Sequence, residues 1–314
     1  MTTVQDLGEN RLIARLQRLV PGRADVIAGM GDDCAVVRTG RGARFDFLLK
    51  SDPVIEGVHF APGARPEAVG HKAIGRVLSD LAAMGGEPLW VLIDLVAPAD
   101  TPVRRIERIY RGAARLARRH GVAIVGGDTS RGTTLELHVF AVGRVPRGQA
   151  VFRSGARSGE VLYVTGMLGG SLAGRHLTFE PRLQEGQWLG KARWATAMMD
   201  LSDGLAADVP RLIAASRVGA VLEAGRIPVS AAARRAGKGR TPLDHALGDG
   251  EDFELLFTVK ADRAAAFERA WKARFRLRCS RIGLITRETG VRLQDAAGQV
   301  QPLTARGYEH FQVG

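Results

Sequence analysis

The sequence predicts an α/β (α+β) protein of two successive domains, the first built on a mixed sheet and the second an α/β domain. Three observations predict it. Strand-like apolar runs alternate with helical apolar stripes along the whole chain. In the first half, strands often follow one another directly, which implies paired strands and not a strict βαβ series. Midway, "PRGQAVFRSGARSGE" (146–160) is rich in Pro, Gly and Ser, and a fresh strand, "VLYVTG", follows it. The expected domains are therefore 1–148 and 149–314.

The elements read as follows. Leu12, Ile13, Leu16, Leu19 and Val20 lie at helical spacing, so a first helix is expected over Glu9–Val20. "VIAGMGDDCAVVR" reads as strand interrupted by a glycine turn. "FDFLLKSDPV" is a strand expected to end at Asp52, with Pro53 as the stop. A helix is expected from about Pro66 to Met84, on the stripe Ala73, Ile74, Val77, Leu78 and Leu81, with Gly85-Gly86 terminating it. "LWVLIDLVA" is expected as a buried strand, and Thr101–His120 as a helix closed by Gly121. "VAIVGGD" and "LELHVFAVGRV" complete the first half. The second half continues through "MMDLSDGLAADVPRLIAAS", "ALGDGEDFELLFTV", a helix over Ala261–Phe275 and the final strands.

Composition narrows the function classes. The chain of 314 residues is 45% hydrophobic and 25% charged, as in ordinary globular proteins. No stretch approaches the roughly 18 apolar residues of a membrane span. The opening "MTTVQDLGEN" has neither a basic nor an apolar leader segment, so a cytoplasmic location is expected. Cys34 and Cys279 cannot form a disulfide framework and lack zinc-site spacing. The formal charge is +12, and 39 of the 45 basic residues are arginine. They are spread along the chain without a basic tail, and only three tyrosines accompany them, so nucleic-acid binding is not expected. A basic field instead helps capture small anions such as ATP.

Acidic residues recur in one setting, beside Gly or Ser where an apolar element ends. They are "GDD" (31–33), "KSD" (50–52), "LSD" (78–80), "GGD" (126–128), "DLSD" (200–203) and "DGED" (249–252). Each alone reads as a cap or turn residue, and Asp203 fits a helix N-cap well. Six together read differently. Carboxylates do not bind phosphate, so a convergent set implies a cation between protein and ligand. Mg²⁺ suits this, because it takes oxygen ligands and bridges carboxylates to phosphates. Neighbouring glycines let backbone N–H groups approach phosphate oxygens. Other nucleotide motifs are missing. "GGSLAGRH" has Arg-His where a P-loop needs Lys-Ser/Thr. "GMG" lacks the third glycine of a dinucleotide fingerprint, and no GxSxG or protein-kinase signature occurs.

The strings "GDDCAVV", "SDPVIEGVHF", "KAIGRVLSDLAAMGGEP", "VGGDTSRG", "FRSGARSGE", "DLSDGLAADV", "DGEDFELLFT" and "GYEHF" carry a resemblance. In order, from about residue 12 to 311, they resemble the thiamine-monophosphate kinase family, of the superfamily of aminoimidazole-ribonucleotide synthetase and selenophosphate synthetase. The resemblance implies the two-domain aminoimidazole-ribonucleotide synthetase-like fold, and a homodimer whose N-terminal sheets pair across the two-fold axis. It implies transfer of the γ-phosphate of ATP to thiamine monophosphate, with several Mg²⁺ ions. By matching positions, Asp33, Ser51, Asp52, Asp80, Asp128, Asp200 and Asp203 would hold metal. Tyr110, Gly127, Asp128, Arg153 and Ser202 would contact ATP, and His59, Glu251 and Tyr308 the thiamine phosphate.

This chain departs from the family pattern at three places. Lys50 stands where the family usually has Ser or Thr, Asp249 replaces the first glycine of Gly-Gly-Glu-Asp, and the region between "GSLAGRH" and "DLSDG" is short while Ala305 stands where an aromatic residue can occur. The acceptor would be an anionic phosphate oxygen, so no general base is expected. Arg153 is expected to stabilise charge. The rival within the superfamily, selenophosphate synthetase, would need a reactive Cys in an N-terminal glycine-rich loop. Cys34 follows "GDD" instead.

Overall fold

The computed structural model describes residues 3–237, 239–309 and 311. Two short helices, α1 (Val4–Leu7) and α2 (Glu9–Leu16), precede the hairpin of β1 (Val26–Ala28) and β2 (Ala35–Val37). The hairpin turns at the glycines of "GMG", as its sequence implies. Helix α2 stops four residues short of the expected Val20. Gln17–Val20 tighten into turns instead, with Arg18 N–H bonded to Arg15 O and Leu19 N–H to Leu16 O, and Pro21 disfavours helical backbone at Val20.

The first half continues with β3 (Phe45–Ile55), α3 (Pro66–Ala83), β4 (Glu87–Ala97), α4 (Val103–Arg119), β5 (Ala123–Gly126), β6 (Thr129–Arg131) and β7 (Glu136–Pro146). Its seven strands form one sheet in the order β1-β2-β3-β7-β4-β5, with β6 also on β4. Strand β3 runs through Pro53 to Ile55, past the expected stop. β2 covers only Phe47–Leu49, so beyond them β3 is bonded on the β7 side alone and tolerates a residue without an N–H.

Helix α3 matches its sequence pattern, with Pro66 at its first turn and Gly85 in left-handed backbone after its end. It crosses α4 at two glycines. A Cβ on Gly70 would lie 1.9 Å from the Ile109 carbonyl oxygen, and one on Gly112 would lie 2.0 Å from that of Glu67. Strand β4 is not buried on both faces as expected. Val91, Ile93 and Leu95 point into the core, whereas Trp90 is 46% and Leu92 38% exposed. With Val125, Phe140 and Val142 they line a shallow apolar depression on the outer face of the sheet.

The second half comprises β8 (Val161–Thr165), α5 (Leu183–Lys191), β9 (Ala197–Asp200), α6 (Leu205–Ser216), β10 (Gly219–Glu223), α7 (Ala231–Ala236), α8 (Pro242–Gly248), β11 (Leu255–Val259), α9 (Ala264–Arg274), β12 (Cys279–Thr286), β13 (Gly290–Gln294) and β14 (Val300–Pro302). Its sheet has the order β14-β13-β10-β12-β8-β11-β9, and only the β10–β13 pair is parallel. Residues 147–160 join the two sheets without strand or helix. One apolar core is continuous from Leu78 and Leu81 on α3 to Leu183, Met198 and Phe257 in the second half. Helix α3 thus lies between the sheets and carries polar groups to their junction. No described helix is long and apolar enough to cross a membrane.

Candidate active site

The junction is built on α3. Lys72, Arg76 and Asp80 are spaced four apart, so they stack along one side of the helix. Their row interrupts an otherwise apolar surface. Four acids meet it from other elements. Asp33 comes from the turn before β2, Asp52 from β3, Asp200 from the end of β9, and Glu251 from the loop after α8.

Ligand oxygens of Asp33, Asp80 and Asp200 lie within 4.8 Å of one another, and all three acids are buried. Each is tied down through one oxygen. Arg153 donates from Nη2 to Asp33 Oδ1 at 2.5 Å, Ser79 Oγ donates to Asp200 Oδ2 at 2.6 Å, and Lys50 Nζ lies 2.9 Å from Asp80 Oδ1. The other oxygen of Asp33, Oδ2, is buried without a hydrogen-bond partner among the described residues. Three buried oxygen donors, one of them unsatisfied, fit a hard cation such as Mg²⁺. The adjacent aspartates of "GDD" divide the work. Asp33 belongs to the trio, while Asp32 accepts the Arg153 backbone N–H at 3.1 Å and so clips the turn to the connecting segment.

The electrostatics follow from burial. Desolvation, then the charge of Asp33, pushes the Asp200 carboxyl up to about 7. Desolvation raises Asp80 well above the usual range, with Lys50 pulling against it. At Asp52 burial pushes upward, but Lys50 and Arg76 outweigh it and the carboxyl stands below its ordinary value. Cys34 is 1% exposed, and burial followed by the Asp80 charge lifts its thiol far from reactivity, against the selenophosphate-type rival.

A second cluster adjoins the first. The fully buried Lys72 ammonium contacts the Glu251 carboxylate, donates to the His59 carbonyl at 2.6 Å, and lies 2.9 Å from His176 Nδ1. Arg76 sits between the clusters, 3.7 Å from both Asp52 Oδ2 and Glu251 Oε1. Burial raises the Glu251 carboxyl, but His176 and Lys72 bring it down to about 2. Glu251 and Phe253 have φ of 55° and 51°, left-handed backbone that is costly for side-chain-bearing residues. Bonds from Glu251 N to Ser202 O, Phe253 N to Leu201 O and Ser171 Oγ to Glu251 O hold the turn. Ser202 therefore touches Glu251 through its backbone. His59 is buried and accepts the Ile55 N–H at Nδ1, 3.1 Å away.

The other sequence-predicted residues lie outside the trio. Ser51 is exposed on β3. Asp128 is exposed. Its N–H donates to Asp94 Oδ1 at 2.9 Å, and its own Oδ1 accepts the Thr129 N–H at 2.8 Å. Gly127 beside it has φ 147°, and a Cβ there would lie 1.9 Å from the Ile93 carbonyl oxygen, so only glycine fits. Tyr110 is half-buried on α4, where burial and then the Asp94 charge raise its hydroxyl pKa. Asp203 does not cap α6. Gly204 holds the N-cap position, and the Asp203 carboxylate pairs with Arg211. Tyr308 is exposed, its N–H bonded to Asp203 O at 3.0 Å. Of the terminal "GYEHF", His310 lies outside the described residues. Asp249 and Ala305 serve the second half internally. Asp249 accepts the Gly170 N–H at 2.9 Å and pairs with Arg240, and Ala305 packs on the core.

The sequence is similar to known proteins over nearly its full length. The AIR synthase related protein N-terminal domain matches residues 31–145, and the corresponding C-terminal domain matches 157–296. A thiamine-monophosphate kinase of Rhodopirellula baltica is 35% identical, over 96% of this chain and 97% of that protein. The chain belongs to the thiamine-monophosphate kinase family. The enzyme of that name from Escherichia coli K12 is 34% identical, over 97% of this chain and 98% of its own length. A solved structure of AaThiL complexed with AMPPCP and TMP has 32% identity and a TM-score of 0.85, and covers 99% of both chains. The fold expected from the sequence is therefore the family's fold. Sequence reading had not singled out Lys72, Arg76, His176 and Asp94. The signal for the first two was present, as charges four residues apart on an apolar helix.

Proposed function

We propose that this chain is an ATP-dependent kinase that phosphorylates thiamine monophosphate to thiamine diphosphate with release of ADP. The observation that carries the reading is the buried trio Asp33, Asp80 and Asp200, flanked by Arg153 and Arg76, in a chain of this family. Mg²⁺ held there would neutralise phosphate charge and orient the phosphoryl oxygens. The proposed metal set comprises Asp33, Asp52, Asp80 and Asp200, with Ser51, Asp128 and Asp203 at its periphery.

Arg153, Tyr110, Gly127, Asp128 and Ser202 are assigned to ATP, and His59, Glu251 and Tyr308 to the acceptor. The acceptor oxygen is already anionic at neutral pH, so no residue needs to remove a proton. The protein's task is to bring two anions together in line, and fixed guanidinium groups do this without reorganisation. The reading includes a division of the domains after residue 148 and a cytoplasmic location. It also includes a homodimer with no nucleic-acid partner. The apolar outer face around Trp90, Leu92 and Val125 supports the dimer, since contiguous exposed apolar surface favours association.

The test is a screen of phosphorylated and unphosphorylated acceptors with Mg-ATP, read by mass. Thiamine diphosphate and ADP in equal amounts are expected. AMP and free phosphate as products, or turnover only with another acceptor, would overturn the reading.

A further inference from the structure

Lys50 lies inside the carboxylate cluster. Residues 50 and 52 point to the same side of β3, as strand alternation requires. The Lys50 ammonium is 2.9 Å from Asp80 Oδ1 and 3.5 Å from Asp52 Oδ1, so one cation bridges acids from two different elements. Asp52 is engaged on both oxygens, Oδ1 by Lys50 and Oδ2 by Arg76 at 3.7 Å. The trio of Asp33, Asp80 and Asp200 differs, since each of its members is engaged by Arg153, Lys50 or Ser79 through a single oxygen.

We propose that the Lys50 ammonium is a resident counter-cation that bridges Asp52 and Asp80 in place of a divalent ion, so that this chain completes its site with one metal ion fewer. The inference rests on the kinase reading of the site. Charge and space both favour it. Asp33, Asp52, Asp80 and Asp200 face three fixed cations, Lys50, Arg76 and Arg153, so a neutral residue at 50 would leave one more negative charge to be met. Mg²⁺ demands oxygens at about 2.0–2.1 Å in octahedral order and keeps several waters. An ammonium within hydrogen-bond distance of Asp80 occupies the room such an ion and its waters need. Lysine, a compact point charge on a flexible stem, suits the part.

The test counts ions on the whole protein. Mn²⁺ binding is measured by equilibrium titration with AMPPCP and without acceptor, for wild type, Lys50→Thr and Lys50→Arg. One further Mn²⁺ per chain is expected in Lys50→Thr and none in Lys50→Arg. The activity of Lys50→Thr should also rise more steeply with free Mg²⁺. Equal ion counts and superimposed titrations would overturn the proposal. A second measurement uses wild type alone, so it stands whether or not the variant folds. Lysine acetylation, read at Lys50 by peptide mass, should stay slow and should not accelerate when Mg²⁺ and AMPPCP are added. A several-fold acceleration would mean that metal expels the ammonium, and would overturn the proposal. No acceptor enters the Mn²⁺ count or the acetylation measurement, so a failed acceptor screen would sink the kinase reading separately.

Discussion

The Lys72 ammonium, on α3 of the first half, contacts the Glu251 carboxylate, on the loop after α8 of the second. The pair is buried at the lysine end and adjoins His59 and Arg76. Removing one partner from such a pair leaves an uncompensated charge, which typically costs roughly 3–5 kcal/mol. Lys72→Met should therefore lower the melting temperature by several degrees and raise the KM for thiamine monophosphate about tenfold or more. The double variant with Glu251→Gln should recover part of the lost stability, because the two changes are coupled. Strict additivity in a double-mutant cycle would show that the contact is incidental.

Glu251 also sets a pH dependence. Its folded-state pKa is about 2, below the ordinary 4.5. A depressed carboxylate contributes stability that is present above the unfolded pKa and lost as pH falls through the folded one. The window is thus pH 4.5 down to about 2, and the contribution is about 3 kcal/mol. Acid unfolding of Glu251→Gln, compared with wild type, should show a shallower loss of stability in that window. Parallel curves would remove the assignment.

Asp200 works in the opposite sense. Its folded pKa is about 7, above the ordinary 3.8, so its contribution is complete below 3.8 and lost as pH rises toward 7. In chelator, wild-type stability should fall across that window. Asp200→Asn should relieve that loss and give a higher metal-free melting temperature than wild type at pH 7.5. The same variant should lose most kinase activity and most stabilisation by Mg²⁺. A variant less stable than wild type in chelator would show that the acids do not strain the metal-free fold.

Trp90 and Leu92 stand on the open face of the first sheet. A charge placed there should disfavour association while leaving the buried side of β4 intact. Under the proposed homodimer, wild type should sediment as a dimer and Trp90→Glu as a monomer, with circular dichroism unchanged, and a monomeric wild type would remove the dimer proposal. A variant that remains dimeric would place the interface elsewhere.

How much of this was legible beforehand depended on range in sequence. Helix α3 was legible because its stripe, its proline and its terminating glycines are local signals. The acids beside glycine were legible for the same reason. The extension of β3 through Pro53 was not, because it depends on which neighbour β2 leaves uncovered. Asp203 misled as a cap, since Arg211, eight residues on, claims its carboxylate. The Lys72–Glu251–His176 contact joins positions 104 and 179 residues apart, and no local pattern reports such a meeting. The outward face of β4 was missed because a strand apolar on both faces reads as buried on both, whereas Trp90 and Leu92 stand exposed on one.

Arg153 lies in the segment between the two sheets, yet its backbone holds Asp32 and its guanidinium holds Asp33. The connection is consequently a working part and not a tether. A protein reassembled from separately expressed halves would have to re-form these bonds near a chain end, where the Ser216 hydroxyl, donating to the Arg153 carbonyl oxygen at 3.1 Å, anchors the backbone. Halves exchanged between relatives would need a matched junction as well as matched sheets. Asp33 and Asp80 come from the first half and Asp200 from the second, so neither half alone carries the full acid cluster.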